Sequence, residues 1–280
     1  MKLAWRNFSF DFSQRTAIMG ILNVTPDSFS DGGMYFSRER AIEQALRMVE
    51  EGADIIDIGG ESTRPGAEKV SVKEETGRVV PVIEALAKEV PVPLSIDTCK
   101  SAVAEAAISA GASLINDISG LRFDRRMAHV AVRHDVPVVI MHMRGTPKNM
   151  QDNPVYRALI PEIMDYLHEG IAIARRAGVR DDRIIIDPGI GFGKTVEHNL
   201  EIIRRLGEFT GFEKPILLGH SRKSFIGKIL GGLPAGERLE GTAAAAAIGI
   251  FNGASIIRVH DIKEMVRVAR IADAISRGSW

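Results

Sequence analysis

The sequence predicts an α/β chain folded as a (β/α)8 barrel with a short N-terminal β-hairpin. Eight short runs of β-branched and aliphatic residues each end in a polar residue or a glycine. Helix-period segments lie between them. Strands that alternate with helices build a parallel sheet, and eight such units in about 250 residues fit a closed barrel. An open doubly wound sheet is the runner-up. No composition break or long linker marks off a second domain, so residues 1–280 read as one domain.

Residues 3–12 come first. Trp5, Phe8, Phe10 and Phe12 roughly alternate there, which suits a hairpin closing the bottom of the barrel. The strand runs are Ala17–Leu22 into Asn23, Ala53–Ile58 into Gly59, Val92–Ile96 into Asp97 and Ala112–Ile115 into Asn116. They continue with Val136–Met141 into His142, Ile184–Ile186 into Asp187, Ile216–Leu218 into Gly219 and Ala254–Ile257 into Arg258. Arg38–Glu51 puts Ala41, Ile42, Ala45, Leu46 and Val49 on one helical face, with Ser37 placed to cap it. Ser71-x-x-Glu74 predicts a capping box on a helix reaching about Lys88. Ser101–Ala110, Pro161–Ala177, Glu240–Phe251 and Lys263–Arg277 also read as helices.

In such a barrel the functional end is the C-terminal end of the strands. The run-ending residues Asn23, Asp97, Asn116, His142, Asp187, Arg258 and His260 would form one ring around one mouth. Strands also end where polar loops begin, which accounts for some of these positions but poorly for a ring of Asp, Asn, Arg and His.

Composition narrows the function. The 36 basic and 36 acidic residues cancel, which disfavours nucleic-acid or membrane-surface binding. A small anionic substrate held by a few local cations is still allowed. The lone cysteine, Cys99, excludes a disulfide framework and a cysteine zinc site. MKLAWRNFSFDFSQRT lacks the apolar core of a signal peptide. The longest apolar run, Thr242–Phe251, falls far short of the ~20 residues of a membrane span. The expectation is a soluble protein of a reducing cytoplasm.

The loops carry the chemistry. IIIDPGIGFGKT at 184–195 resembles a nucleotide phosphate loop, but Pro188 stands where that loop needs its first glycine. The glycines at 189, 191 and 193 also miss the dinucleotide spacing. The better reading is a strand that delivers Asp187 to an amino-heterocycle, as a charged two-point acceptor; a turn or cap aspartate is the alternative. GILNVTPDSFSDGG at 20–33 holds Phe29 in a polar loop, either as a lid tip or as a buried anchor. DIGGESTRPG at 57–66 offers Arg64 as the charge of an anion site, or as a solvated loop arginine. LLGHSRKSF at 217–225 offers Lys223 to a ring carbonyl or phosphate oxygen; Lys223 and Arg222 could also be solvated charge. In IIRVHD, Arg258 and His260 point the same way by strand alternation and would face Asn23. Asn23 with phosphate oxygens could hold Mg²⁺. His142 reads as a satisfied barrel histidine and Met141 as core. No cluster has zinc spacing and no G-x-S-x-G occurs. A site without an obvious nucleophile or general-base pair suits a substrate that brings its own leaving group.

These stretches, with SIDT at 95–98 and NDISG at 116–120, run in order along nearly the whole chain. Together the chain resembles the dihydropteroate synthases of folate biosynthesis. The resemblance implies the barrel and a reaction: a dihydropterin carrying a hydroxymethyl pyrophosphate joins p-aminobenzoate, giving dihydropteroate and pyrophosphate. It implies that Asp97, Asn116, Asp187 and Lys223 hold the pterin while the Arg258 guanidinium stacks on its face. It assigns Asn23, Arg64, Arg258 and His260 to the pyrophosphate and Mg²⁺, with Asn23 as the metal ligand. It assigns Phe29, Thr63, Pro65, Phe192, Lys223 and Ser224 to the aminobenzoate. Arg64, Lys223, Arg258 and His260 are thus the expected catalytic set. A homodimer and sulfonamide mimicry of the aminobenzoate are implied too, with Ala243–Ala247 and residues 263–277 as candidates for the dimer face. Two other readings stay open: a methyltetrahydrofolate methyltransferase, which needs no pyrophosphate site, and a non-catalytic pterin-binding homologue, which would tolerate damaged loops. His220 carries no assignment.

Overall fold

The structure is a computed structural model that describes residues 1–25, 33–62, 66 and 69–278, with the side chains of 33–37 outside the description. A two-stranded antiparallel hairpin, β1 (Lys2–Trp5) and β2 (Phe8–Asp11), opens the chain. The barrel strands are β3 (Ala17–Asn23), β4 (Ile55–Gly59), β5 (Leu94–Asp97) and β6 (Leu114–Asp117), then β7 (Val138–Met141), β8 (Ile184–Asp187), β9 (Leu217–Leu218) and β10 (Ile256–Val259). Their order is β8-β7-β6-β5-β4-β3-β10-β9, with every pairing parallel. A parallel bridge between Ile186 and Ile216 joins the two ends, and the Ile186 amide donates to the Pro215 carbonyl at 3.0 Å. The barrel expectation holds, hairpin included.

Helices alternate with the strands: α1 (Gly33–Glu50), α2 (Val72–Glu89), α3 (Ser101–Ser109), α4 (Met127–His134), α5 (Leu159–Ala177), α6 (Val196–Arg204), α7 (Ser224–Ile229), α8 (Leu239–Phe251) and α9 (Ile262–Arg277). Ser37 lies inside α1 rather than capping it, because the helix begins four residues earlier. Ser71 does cap α2, accepting from the Glu74 amide at 3.2 Å. The reciprocal half of the box is replaced, since Glu74 pairs with Arg78 one turn on. The helices α4, α6 and α7 go beyond the expectation. In α6 the capping partner is unusual: Thr195 Oγ1 accepts from the His198 amide, and His198 Nδ1 accepts from the Thr195 amide, both at 3.2 Å. Histidine stands where the motif has Glu or Gln. No helix among the described residues is long and apolar enough to cross a membrane.

Strand alternation sorts the core into two bodies. Outward residues such as Ile56, Ile58, Ile96, Ile115, Ile140 and Ile186 pack on the helices. Inward residues Met19, Ile55, Leu114, Val139, Ile185 and Ile256 fill the barrel and meet Leu3 and Trp5 of the hairpin at its base. Two positions further along the same strands, the same inward parity gives Asp57, Asn116, Met141, Asp187 and Arg258. The apolar layer is therefore the floor of a polar one. First and last elements are tied together at the strand starts: Thr16 donates through its amide and Oγ1 to Asp273 of α9, both at 2.8 Å.

Candidate active site

The polar layer is built around Arg258. Its Nε donates to Asp57 Oδ2 at 2.6 Å and its Nη2 to Asp97 Oδ2 at 2.8 Å. Asn116 Nδ2 donates to the same Asp57 oxygen at 2.9 Å. Two carboxylates on neighbouring strands thus fix the plane of one guanidinium, a geometry suited to its fork of donors. Asp97 is nearly buried, and that burial pushes its carboxyl up to about 7 despite the opposing pull of Arg258. Asp57, Glu75 and Asp117 push the same way.

Asp187 ends β8. Its Oδ1 accepts from the Gly189 amide at 2.6 Å, so one oxygen makes the turn bond that the alternative reading expected. Gly219, at the end of β9, keeps space beside the other: a Cβ there would sit 3.8 Å from Oδ2. Burial raises the Asp187 carboxyl to about 6, while the Gly189 bond, Lys223, Lys194 and Arg258 draw it down.

The loop from Pro188 to Lys194 is held by its own carbonyls. Ile190 O accepts from Lys223 Nζ, Gly191 O from Gln151 Nε2 at 2.6 Å, Phe192 O from Lys194 Nζ at 3.1 Å and Gly193 O from Tyr156 Oη at 2.8 Å. Asn199 Oδ1 takes the Gly191 amide at 2.7 Å. Gly189 has φ +72°, and a Cβ there would lie 1.8 Å from the His142 carbonyl oxygen, so only glycine lets the loop pass.

Lys223 is not a solvated charge. Its ammonium turns inward, 4.2 Å from the centre of the Phe192 ring, a cation–π distance. Burial lowers it to about 7, against the attraction of Asp187. Ser224 follows at the exposed start of α7. Arg222, with φ +56°, forks onto Asp261 instead of solvent. His260 Nδ1 meets Ser221 Oγ at 2.9 Å, and the same hydroxyl accepts the His260 amide at 3.2 Å. His220 is fully buried, with Nε2 3.1 Å from the Thr242 carbonyl, pinning the end of β9 to α8; burial lowers it to about 4.

Of the expected site, Asp97, Asn116, Asp187, Lys223, Arg258 and His260 gather at the C-terminal end of the barrel. Asn23 ends β3 across Gly59 from Asp97: a Cβ on Gly59 would lie 3.9 Å from Asn23 Oδ1 and 3.7 Å from Asp97 Oδ2. Phe192 lies against Lys223 in space, and Ser224 follows Lys223 in the chain. Phe29, Thr63, Arg64 and Pro65 lie outside the described residues. The described residues on either side of the last three are held by hydrogen bonds. Glu61 accepts from Lys100 at 2.6 Å and from the Val70 amide at 2.9 Å, and the Gly60 carbonyl accepts from Arg78 at 2.7 Å. His142 leaves the ring: it is buried beside Lys194, between Tyr156 and Tyr166. Met141 packs with Ile118, Met143 and Met150 below the mouth. A cavity of about 1020 Å³ is lined by Asp97, Cys99, Lys100, Ile118 and Phe123 among others.

Three contributors were missed from sequence: Asp57, Ser221 and Lys194. Asp57 had a readable signal, since a carboxylate inside an inward-facing apolar run must be paired. The other two had none beyond membership of a singled-out loop.

The arrangement couples buried acceptors for a nitrogen heterocycle to a set of cations at one mouth. Residues 19–260 match the family of pterin binding enzymes. A dihydropteroate synthase of Clostridium beijerinckii is 52% identical over 269 residues, spanning 96% of this chain and 97% of its own. The Clostridium difficile dihydropteroate synthase, solved in the presence of pteroic acid, superposes with TM-score 0.91 at 49% identity over 96% of this chain and 99% of that one. The Yersinia pestis enzyme, solved with a sulfonamide drug complex, gives TM-score 0.93 at 46% identity over 100% of both. With the same barrel and identity of this order along its whole length, the chain belongs to the dihydropteroate synthases.

Proposed function

We infer that the chain condenses 6-hydroxymethyl-7,8-dihydropterin pyrophosphate with p-aminobenzoate, giving 7,8-dihydropteroate and pyrophosphate in folate biosynthesis. The observation that carries this reading is the single layer in which Asp97, Asn116 and Asp187 share one barrel end with Lys223, Arg258 and His260. The two oxygens of the Asp187 carboxylate accept the two neighbouring N–H groups of the pterin's amino-pyrimidine edge, and Lys223 donates to its ring carbonyl. Arg258, its plane set by Asp57 and Asp97, lies along the pterin face. The C–O bond beside the electron-rich pterin breaks first, leaving a resonance-stabilised cation. Arg64, Arg258 and His260 stabilise the charge gathering on the departing pyrophosphate, as donors fixed in advance. Phe29, Thr63, Pro65, Phe192 and Ser224 enclose the aminobenzoate. Its amino nitrogen forms the C–N bond and gives up a proton.

Mg²⁺ fits this site as a guest of the substrate. Among the described residues no group of three His, Cys, Asp or Glu side chains could hold a metal. Asn23 is an oxygen ligand at the mouth, and Mg²⁺ is commonly held by one or two protein ligands, substrate phosphates and water. When bound it would neutralise pyrophosphate charge.

A methyltransferase reading shares the pterin acceptors but has no use for Lys223, Arg258 and His260 as an anion set. The deciding experiment is pyrophosphate release from purified protein with dihydropterin pyrophosphate and Mg²⁺, with and without p-aminobenzoate. Amine-dependent release with dihydropteroate formed supports the synthase. Pterin binding without release points to the other readings, and absent pterin binding overturns the role of Asp187. Within the same assay, Arg64→Ala is expected to lower turnover by about 100-fold or more, the usual scale for one oxyanion donor.

A homodimer is part of the proposal. On α8 and α9, Ile248, Phe251, Ile271 and Ile275 are each more than half exposed, and a second copy of the chain is the occupant of that face. A reducing cytoplasm suits the single thiol.

A further inference from the structure

Lys194 closes the β8–α6 loop, yet its side chain runs inward and the residue is 3% exposed. Its Nζ lies 2.8 Å from His142 Nδ1 and donates to the Phe192 carbonyl at 3.1 Å. A buried ammonium costs several kcal/mol, and an apolar side chain of the same volume is often as stable or more so. Stability of the barrel alone therefore does not explain a lysine here.

What the ammonium joins is informative. His142 belongs to the end of β7, fixed by the bond from its amide to the Asp187 carbonyl at 2.9 Å and by the rings of Tyr156 and Tyr166. Phe192 belongs to a glycine-rich stretch, three glycines in five residues, and its ring faces the Lys223 ammonium. The contacts run from His142 to Lys194, to the Phe192 backbone, and through the Phe192 ring to Lys223. Lys194 is the one of the four carbonyl donors that comes from the loop itself and is buried. Burial pushes both Lys194 and His142 well below their ordinary values, and Asp187 draws Lys194 back up. With Lys194 charged, His142 is neutral and its Nδ1 accepts.

We propose that Lys194 and His142 form a positioning clasp for the amine subsite: the clasp fixes the Phe192 carbonyl, and with it the Phe192 ring against Lys223, so that p-aminobenzoate meets a wall already in place. The clasp rests on the reaction inferred above. Neither residue touches substrate; both act through Phe192.

The test uses three variants of the full chain: Lys194→Met, His142→Leu and His142→Asn. The Asn side-chain oxygen stands where Nδ1 was and keeps the acceptor. For Lys194→Met and His142→Leu, the KM for p-aminobenzoate is expected to rise about tenfold with kcat within about threefold, the signature of lost uniform binding. Their affinity for the pterin alone is expected to fall by less than about threefold, since neither side chain hydrogen-bonds Asp97, Asn116 or Asp187 and Lys194 reaches Asp187 only through its charge. His142→Asn is expected to recover most of the amine affinity. Thermal melting of Lys194→Met at or above that of wild type excludes a general loosening. An unchanged amine KM in Lys194→Met, or equal weakening of both substrates, overturns the clasp. Wild-type protein that releases no pyrophosphate overturns the reaction and the clasp with it, whereas an active wild type beside a normal Lys194→Met overturns the clasp alone.

Discussion

Asp187 carries two opposed demands. To hold a pterin as proposed it must be ionised, yet burial raises its carboxyl from 3.8 to about 6. A carboxyl whose folded value lies above its unfolded value favours the folded state most when protonated, below about pH 4. That favour is lost as pH rises from 3.8 through about 6. A difference of about two pH units corresponds to on the order of 3 kcal/mol. Asp187→Asn is therefore expected to be more stable than wild type at pH 7 by on the order of 3 kcal/mol, with the gain vanishing below pH 4. It should also bind pterin about 100-fold more weakly, as loss of a charge-assisted pair implies. Denaturant melts at both pH values check the first statement, and pterin titrations the second; equal stability at pH 7 would show that Asp187 bears no burial cost. The same ionisation gives wild type an acid limb. Affinity for a pterin without pyrophosphate should fall about tenfold between pH 7 and pH 5, following one proton, and Asp187→Asn should lack that limb. At this scale legibility followed position. Asp97, Asn116, Asp187 and Arg258 were readable because each ends a run. Asp57 sits two residues deeper in its strand, within an apolar run that hides it, yet it holds both Arg258 and Asn116.

The β8–α6 loop is the element on which the site depends most, and its shape follows from glycine. With φ +72° at Gly189 and the His142 carbonyl 1.8 Å from any Cβ, Gly189→Ala would have to move the backbone that carries both Asp187 and Phe192. A left-handed non-glycine residue costs about 1–2 kcal/mol, and the clash adds to it. The expected loss is on the order of 3 kcal/mol or more, with pterin and amine binding weakened together. A variant that melts like wild type would mean that the loop has slack the carbonyl contacts do not suggest. Strand and long-helix positions were legible because period 2 and period 3.6 persist over many residues. Of the short helices α3 was read as well, but α4, α6 and α7 were not. Nine or fewer residues give little periodicity, and α6 is capped by histidine rather than by the expected acid or amide. The loop's role was legible only by elimination, since its glycines fit neither nucleotide template.

For the molecule as a whole, the eight-fold alternation predicted the barrel, but closure depends on contacts no local pattern shows. One bridge, Ile186 to Ile216, seals the sheet, and Thr16 reaches Asp273 across 257 positions of sequence. The outer surface poses a different question. Helices α8 and α9 pack against each other, yet Ile248 and Phe251, one turn apart on α8, and Ile271 and Ile275, one turn apart on α9, turn large apolar side chains to water. Single exposed apolar residues are ordinary, but a contiguous patch marks an interface. An apolar face of this kind suits an isologous two-fold contact, in which the same surface of both copies meets itself. The expected species is therefore twice the 30.5 kDa chain. Phe251→Glu with Ile275→Glu places four carboxylates in such an interface, two from each copy, and unpaired buried charge is strongly disfavoured. Sedimentation at micromolar concentration should show a dimer for wild type and a monomer for the double variant. Because both positions lie on the outside of the barrel, the variant should keep the pterin affinity of wild type. A monomeric wild type, or a double variant that still sediments as a dimer, would remove this face from consideration.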